Sequence, residues 1–88
     1  MILIEMKNGA LLNLAHVIEL KADFTGETKD GLKVYGIHAS TVDGKTRKVW
    51  SELDTEAAAE GMLHDLKRCI REAHIEGYAI ISSKSYKN

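Results

Sequence analysis

The chain has 88 residues, which is enough for one domain and too few for two. Its composition, 44% hydrophobic and 28% charged, is that of an ordinary globular protein and argues against a disordered chain. Twelve basic and thirteen acidic side chains give a formal charge of −1, so the basic surplus typical of duplex-binding proteins is missing.

Cys69 is the single cysteine, so no disulfide can form within the chain and packing alone must stabilise the fold. This suits a reducing compartment. Residues 1–9 lack the basic start and the long apolar stretch of a signal peptide. No run approaches the ~18 apolar residues of a membrane span. We therefore expect a cytoplasmic protein without a membrane partner.

Residues 2–20 predict a β-hairpin with alternating side chains. The Asn-Gly pair at positions 8–9 is a strong turn signal, because both residue types tolerate positive φ. A two-residue turn would place Ile4 opposite Asn13. A three-residue loop with a glycine bulge would instead place Ile4 opposite Leu14, which keeps the apolar residues on one face. We favour the bulged hairpin for that reason.

Residues 22–31 are polar, contain two glycines and show no periodicity, so they predict a loop or a long hairpin tip. Residues 32–53 predict a second hairpin that turns at positions 43–44. A two-residue turn there gives three cross-strand pairs: Ile37 with Trp50, Val34 with Leu53, and His38 with Val49. These strands are apolar on both faces in places, so one face needs a helix and the other a second layer or a partner.

Residues 55–76 predict one long amphipathic helix, with Asp54 or Thr55 as its N-cap and Gly77 at its end. Its apolar stripe recurs at helical spacing through Ala59, Met62, Leu63, Leu66, Ile70 and Ala73. The opposite side of the helix is charged. This pattern places the helix over one face of the sheet.

Residues 78–83 predict a short fifth strand, and residues 84–88 predict a frayed tail. Together the elements predict a single α+β domain spanning residues 1–88, of order ββββαβ. We expect an antiparallel sheet of two β-hairpins covered by the helix.

The candidate residues for catalysis or metal binding do not cluster along the chain. Four histidines lie scattered at positions 16, 38, 64 and 74, whereas zinc ligands usually come in close pairs. Cys69 and His74 are about 140° apart around the helix, so they do not form a nucleophile and base pair. We expect no catalytic residue, no metal and no cofactor. An enzyme with an unrecognised site stays an alternative.

Six basic residues form a candidate patch for single-stranded nucleic acid: Lys45, Arg47 and Lys48 on the second hairpin, and Lys67, Arg68 and Arg71 on the helix. The other interpretation is a normal solvated surface, on which neighbours such as Glu72 balance these charges. The neutral overall charge favours the second interpretation.

Seven apolar residues form a candidate protein interface, because one helix covers only about three strands. They are Leu3, Leu11, Val17, Val34, Val49, Leu53 and Ile81. Exposed apolar patches usually mark protein interfaces, and edge strands without proline can extend a sheet across a two-fold axis. The alternative is a curled sheet that buries both faces in a half-barrel. We expect a homodimer and a protein partner, and a non-catalytic interaction function.

Two segments, NGALLNL at positions 8–14 and LDTEAAAEGMLHDL at positions 53–66, give the chain a likeness to small bacterial and phage proteins. In size, charge and class the chain resembles phage inhibitors that act by occluding a host protein. This resemblance implies a class of function and assigns no role to any residue.

Overall fold

The computed structural model describes residues 1–87. In chain order its elements are β1 (Leu3–Glu5), β2 (Leu11–Asn13), a 3-10 turn (Leu14–His16), β3 (Val17–Lys29), β4 (Leu32–Thr41), β5 (Thr46–Leu53), α1 (Glu56–Glu76), β6 (Ile80–Ile81) and α2 (Ser83–Tyr86). Within this range the strands form two sheets, ordered β2-β1-β6 and β3-β4-β5. The predicted α+β class, with antiparallel hairpins and one long helix, is confirmed.

Helix α1 begins and ends where its capping residues predict. The Thr55 side chain accepts a hydrogen bond from the Ala58 N–H at 3.0 Å, and Gly77 adopts a φ of 80° just after the last turn. Its buried face consists of Ala59, Met62, Leu66, Cys69 and Ala73. The helical stripe read from the sequence therefore identifies the face that packs against the sheets.

The first hairpin turns through a three-residue loop in which Gly9 has a φ of 85°, as the bulged hairpin requires. Its predicted register is wrong by two residues, since Ile4 lies opposite Leu12 and not Leu14. The Met6 N–H donates to the Ala10 carbonyl at 2.8 Å, so the two strands pair immediately after the loop. A shift of two residues keeps the same face inward, and Ile4 and Leu12 are both buried.

Of the two predictions for residues 22–31, the loop is wrong, because β3 continues as a strand to Lys29. The long hairpin is closer, since β3 and β4 pair antiparallel as far as Lys29 and Leu32. The turn is formed by Asp30 and Gly31 alone, with φ values of 53° and 78°. β3 is an edge strand, and most of its side chains are exposed. Its sequence therefore lacks the alternation of apolar and polar residues by which a strand is recognised.

In the second hairpin the predicted pairing of Ile37 with Trp50 is confirmed. The other two predicted pairs are wrong: His38 lies opposite Lys48, and Leu53 lies opposite Tyr35. The register shifts on each side of Ile37, and each shift adds a residue to β5. One consequence is that the adjacent residues Val49 and Trp50 are both buried, at 0% and 8% exposure.

The predicted fifth strand is shorter than expected and runs parallel to β1, with Leu3 opposite Ile80. The prediction of a frayed tail is wrong for residues 84–87, while residue 88 lies outside the described range. Residues 83–86 form the helical turn α2, and its Tyr86 is fully buried. One large aromatic side chain supplies enough apolar surface to anchor this otherwise polar segment.

The two sheets and α1 enclose one hydrophobic core. Its fully buried members include Ile4 from the first sheet, Ile37 and Val49 from the second, and Leu66 from the helix. A hydrogen bond of 2.9 Å from the Lys7 N–H to the Val49 carbonyl joins the first hairpin to β5. The first sheet therefore adds its apolar side chains to the same core that the helix covers.

Candidate functional site

Most of the predicted interface residues lie inside the folded chain. Val34, Val49 and Ile81 are buried, Leu3, Val17 and Leu53 are half-buried, and Leu11 is 48% exposed. The prediction assumed one sheet with a surplus apolar face. Because the first hairpin forms a separate sheet, its apolar residues share one core with the second sheet and the helix, and Leu11 is the most exposed of the seven.

The basic residues of the second hairpin do not form one surface. Arg47 lies opposite Ala39 and Lys48 opposite His38, so the two basic side chains point to different faces of the sheet. Lys48 forms an ion pair of 2.6 Å with Glu27. Arg47 lies 3.8 Å from Asp43, and Lys45 is exposed.

The basic residues of the helix lie on its solvent face. Arg68 pairs with Asp65 at 3.8 Å and with Glu72 at 3.1 Å, which is the balanced arrangement that the alternative interpretation describes. Lys67 and Arg71 are exposed. Three of the six cations, Arg47, Lys48 and Arg68, therefore already have carboxylate partners.

The histidines and the cysteine were the candidates for a metal site. Among residues 1–87, no three His, Cys, Asp or Glu side chains lie close enough together to hold a metal ion. Cys69 is 6% exposed and its thiol donates to the Ser85 carbonyl at 3.5 Å. Burial raises the pKa of the Cys69 thiol, so the reactive thiolate is scarce at neutral pH.

A cleft of about 540 Å³ lies between the first hairpin and the β4–β5 turn. Its floor is apolar and includes Met6 and Leu12, and its rim carries His16, Asp43 and Arg47. Thr41 donates a short hydrogen bond to Asp43, and this bond, with the one from the Lys45 N–H, holds the pKa of Asp43 below its usual value. These bonds stabilise the turn, and the rim has no nucleophile paired with a base.

A polar cluster joins β1 to α2, and no local sequence pattern indicates it. The Glu5 carboxylate accepts hydrogen bonds from the Ser83 N–H at 2.9 Å and the Ser83 hydroxyl at 2.8 Å. These bonds hold the pKa of Glu5 below its usual value. The Tyr86 hydroxyl donates to the Glu5 carbonyl, and burial is the main reason that the pKa of Tyr86 rises to about 12. All of these groups are satisfied by one another, which is typical of a structural cluster.

Large apolar side chains remain exposed near the end of α1. Ile75, Tyr78 and Ile80 are 75%, 56% and 54% exposed and lie within six positions of one another. We call these three residues the apolar patch. The sequence pattern did not reveal it, because residues 78–83 were predicted as one more strand of the sheet.

Strand β3 has one free edge. Within residues 1–87 its only strand neighbour is β4. Ile18 on this strand is 69% exposed. The Phe24 N–H donates to the side chain of Asp23 at 2.7 Å, a local bond that a backbone N–H forms when no neighbouring strand accepts from it. The sequence predicted sheet extension by an edge strand, and the structure identifies β3 as a long one.

Comparison of the chain with family models, with curated proteins and with solved structures finds no match. No helix among the described residues is long and apolar enough to cross a membrane. A functional assignment therefore depends on the geometry of this chain.

Proposed function

We propose that this chain is a small, non-catalytic cytoplasmic protein that self-associates and binds another protein. The observation that supports this proposal is the free edge of β3, a strand of thirteen residues. An exposed strand edge presents a row of N–H and C=O groups that can pair with a strand of another molecule.

The edge of β3 lacks most of the features that prevent sheet extension. The chain contains no proline, and β3 is much longer than an ordinary edge strand. Its bulges lie near its two ends and leave residues 19–24 in regular register with β4. The side chains of Leu20 and Ala22 on the helix side are apolar, so no charge points inward.

The apolar patch supports the second part of the proposal, binding to another protein. Scattered exposed apolar residues are normal, but these three lie within six positions of the sequence and include a tyrosine, a residue type enriched at interfaces. An inhibitor that occludes a host protein needs only such a surface, so the resemblance to small phage inhibitors describes one form of this function. The buried thiol of Cys69 and the lack of any disulfide suit the cytoplasm.

Sedimentation equilibrium tests self-association, from about 1 to about 200 µM protein. We expect the average mass to rise with concentration from the monomer mass of 9.8 kDa towards twice that value. A mass that stays at the monomer value throughout would contradict self-association.

Affinity capture with a matched variant tests binding to another protein. The double variant Tyr78→Ser/Ile80→Ser removes two side chains of the apolar patch, and Lys67→Ala changes an exposed residue elsewhere. We expect the same captured protein with the wild type and with Lys67→Ala, and its loss with the double variant. Equal capture by all three would count against the apolar patch.

The nucleic-acid alternative predicts a different result. A labelled single-stranded oligonucleotide at low salt, where phosphate contacts are strongest, should then bind and should be released by Lys45→Glu. Our proposal expects no retention of the oligonucleotide under these conditions.

A further inference from the structure

We propose that two copies of the chain pair antiparallel through β3, with Ala22 of each copy at the two-fold axis. In this register Lys21 of one copy lies opposite Asp23 of the other, twice in each dimer. The result is one six-stranded sheet. This inference rests on the proposed self-association and specifies its surface and its register.

The two faces of β3 limit the registers that are available. Leu20 and Ala22 lie opposite Ala39 and Ile37, which are fully buried, so they face the helix side. Lys21 and its odd-numbered neighbours face the open side. A two-fold axis perpendicular to the sheet keeps each face on its own side, so residues that lie opposite one another must share a face. The residue nearest the axis must therefore lie opposite the same residue of the second copy, and we name each register by that residue.

The charges of the open face select among these registers. With the axis at Lys21, two lysines would oppose each other and Glu19 would oppose Asp23. With the axis at Asp23, two aspartates would oppose each other and Glu19 would oppose Glu27. Like charges directly opposite one another destabilise a strand pair, so both registers are unfavourable.

Opposite charges meet when the axis passes through an even-numbered residue from 20 to 26. Axes at residues 24 and 26 place these pairs across the irregular segment between Phe24 and Thr28, so two registers remain. An axis at Leu20 puts Lys21 opposite Glu19 but pairs only residues 19–21 of the regular part of β3 with one another. An axis at Ala22 puts Lys21 opposite Asp23 and pairs residues 20–24 of the regular part. The longer overlap forms more backbone hydrogen bonds, so we select the axis at Ala22.

The backbone of β3 fits this register. The Phe24 N–H donates to Asp23 Oδ1 at 2.7 Å and points to the free edge. Because backbone groups alternate in direction along a strand, the N–H and C=O groups of Ala22 and Leu20 point to the same edge. With the axis at Ala22, Phe24 faces Leu20 of the second copy as a hydrogen-bonded pair. Lys21 and Asp23 then form the non-hydrogen-bonded pair between them, in which side chains lie closer together.

Side chains on both faces fit as well. On the helix side, Leu20 of each copy would contact Phe24 of the other, and both are accessible in the single chain. On the open side, Lys21 already lies 3.9 Å from Asp23 of its own chain, with side-chain exposures of 64% and 50%. Pairing therefore adds an apolar contact between Leu20 and Phe24. It also lets Lys21 pair with Asp23 of the second copy in place of Asp23 of its own chain.

A charge exchange tests the register. Lys21→Asp places two carboxylates opposite each other, and Asp23→Lys places two lysines there. We expect each single variant to raise the dimer dissociation constant about tenfold, because the dimer contains the pair twice. The double variant Lys21→Asp/Asp23→Lys recreates the pair in reverse, and we expect it to restore the wild-type constant to within about threefold.

Controls separate this inference from the proposed function. Lys67→Asp makes the same change in charge on the exposed face of α1, and we expect it to leave the constant unchanged. Circular dichroism confirms that each variant folds. A monomeric wild type overturns self-association itself, whereas a wild-type dimer that the double variant fails to restore overturns only the Ala22 register. A Leu20 axis predicts that failure, because the carboxylate introduced by Lys21→Asp would then face Glu19.

Cysteine cross-linking provides an independent measurement. Directly opposed hydrogen-bonded residues have Cα atoms about 5.5 Å apart, which suits a disulfide. With the axis at Ala22, Ala22→Cys gives a covalent dimer on mild oxidation, reversed by a reductant, while Leu20→Cys does not. Cys69 is buried and does not compete. Cross-linking by Leu20→Cys instead of Ala22→Cys would overturn the register.

Discussion

The hydroxyl group of Tyr86 donates a hydrogen bond to the backbone carbonyl of Glu5, across 81 positions of sequence. The ring of Tyr86 also lies edge-on to Trp50, with centroids 5.9 Å apart. A single side chain thus joins α2 to the first sheet and to β5. We expect the stability of the whole fold to depend on it.

Replacing Tyr86 tests this dependence. We expect Tyr86→Ala to lower the free energy of unfolding by about 3–5 kcal/mol, because it removes a fully buried aromatic ring. Tyr86→Phe keeps the ring and should cost about 1 kcal/mol for the lost hydrogen bond. Urea denaturation measures both values. Tyr78→Ala is the control, since Tyr78 is 56% exposed, and equal losses for Tyr78→Ala and Tyr86→Ala would contradict the prediction.

The hydrogen bonds from Ser83 to Glu5 predict a dependence of stability on pH. They lower the pKa of Glu5 in the folded chain below its ordinary value of 4.5. The ionised carboxylate therefore stabilises the fold fully above that value, and this contribution is lost as the pH falls through the folded pKa. We expect the difference in unfolding free energy between the wild type and Glu5→Gln to shrink over that acidic range.

Ser83→Ala provides the matched test of cause. It removes the hydroxyl donor to Glu5 and leaves the backbone donor in place. In an NMR titration we expect the pKa of Glu5 to move towards its ordinary value in this variant. A pKa of Glu5 that does not change would show that the hydroxyl bond plays no part.

Two glycines should respond oppositely to alanine. A Cβ atom on Gly36 would lie 2.3 Å from the Trp50 carbonyl oxygen, so β4 and β5 would have to separate. We expect Gly36→Ala to cost about 3 kcal/mol or more. Gly61 lies within α1 with open space around it, and Gly61→Ala should stabilise the chain by about 0.5–1 kcal/mol. Thermal unfolding of both variants tests the contrast, and a stable Gly36→Ala variant would contradict it.

Cys69 is a probe for the movement of α2. Its buried thiol contacts the Ser85 carbonyl, and burial raises its pKa, so we expect a thiol reagent to label the folded chain at least about tenfold more slowly than the unfolded chain. Tyr86→Ala should increase the rate, because α2 loses its anchor. Labelling at the same rate with and without urea would show that Cys69 is accessible in the native state.

The elements that the sequence predicted well are those defined by local signals. Helix α1 begins after its N-cap Thr55 and ends at Gly77, as these two residues predict. The Asn8-Gly9 loop also follows from two adjacent residues. Each of these depends on conformational preferences that act within a few positions of the chain.

The parts that the sequence did not predict depend on distant residues. The strand at residues 22–29 is held by β4 and not by its own pattern. The bulge in β5 lies at Val49, whose carbonyl accepts a hydrogen bond from the Lys7 N–H of the first hairpin. The contact between Glu5 and Ser83 spans 78 positions. The candidate interface was misplaced for the same reason, since Val49 and Ile81 lie in different sheets and are buried in one shared core.

The parallel pairing of β1 with β6 also sets an order of events during synthesis. The first hairpin can form early, but β1 is the central strand of its sheet and gains its second neighbour only when residues 80–81 have left the ribosome. Until then the nascent chain has an open edge on β1 as well as on β3. Contacts between such distant positions slow folding and prolong the exposure of unpaired strands. The final eight described residues therefore decide when the open edge of β1 is covered.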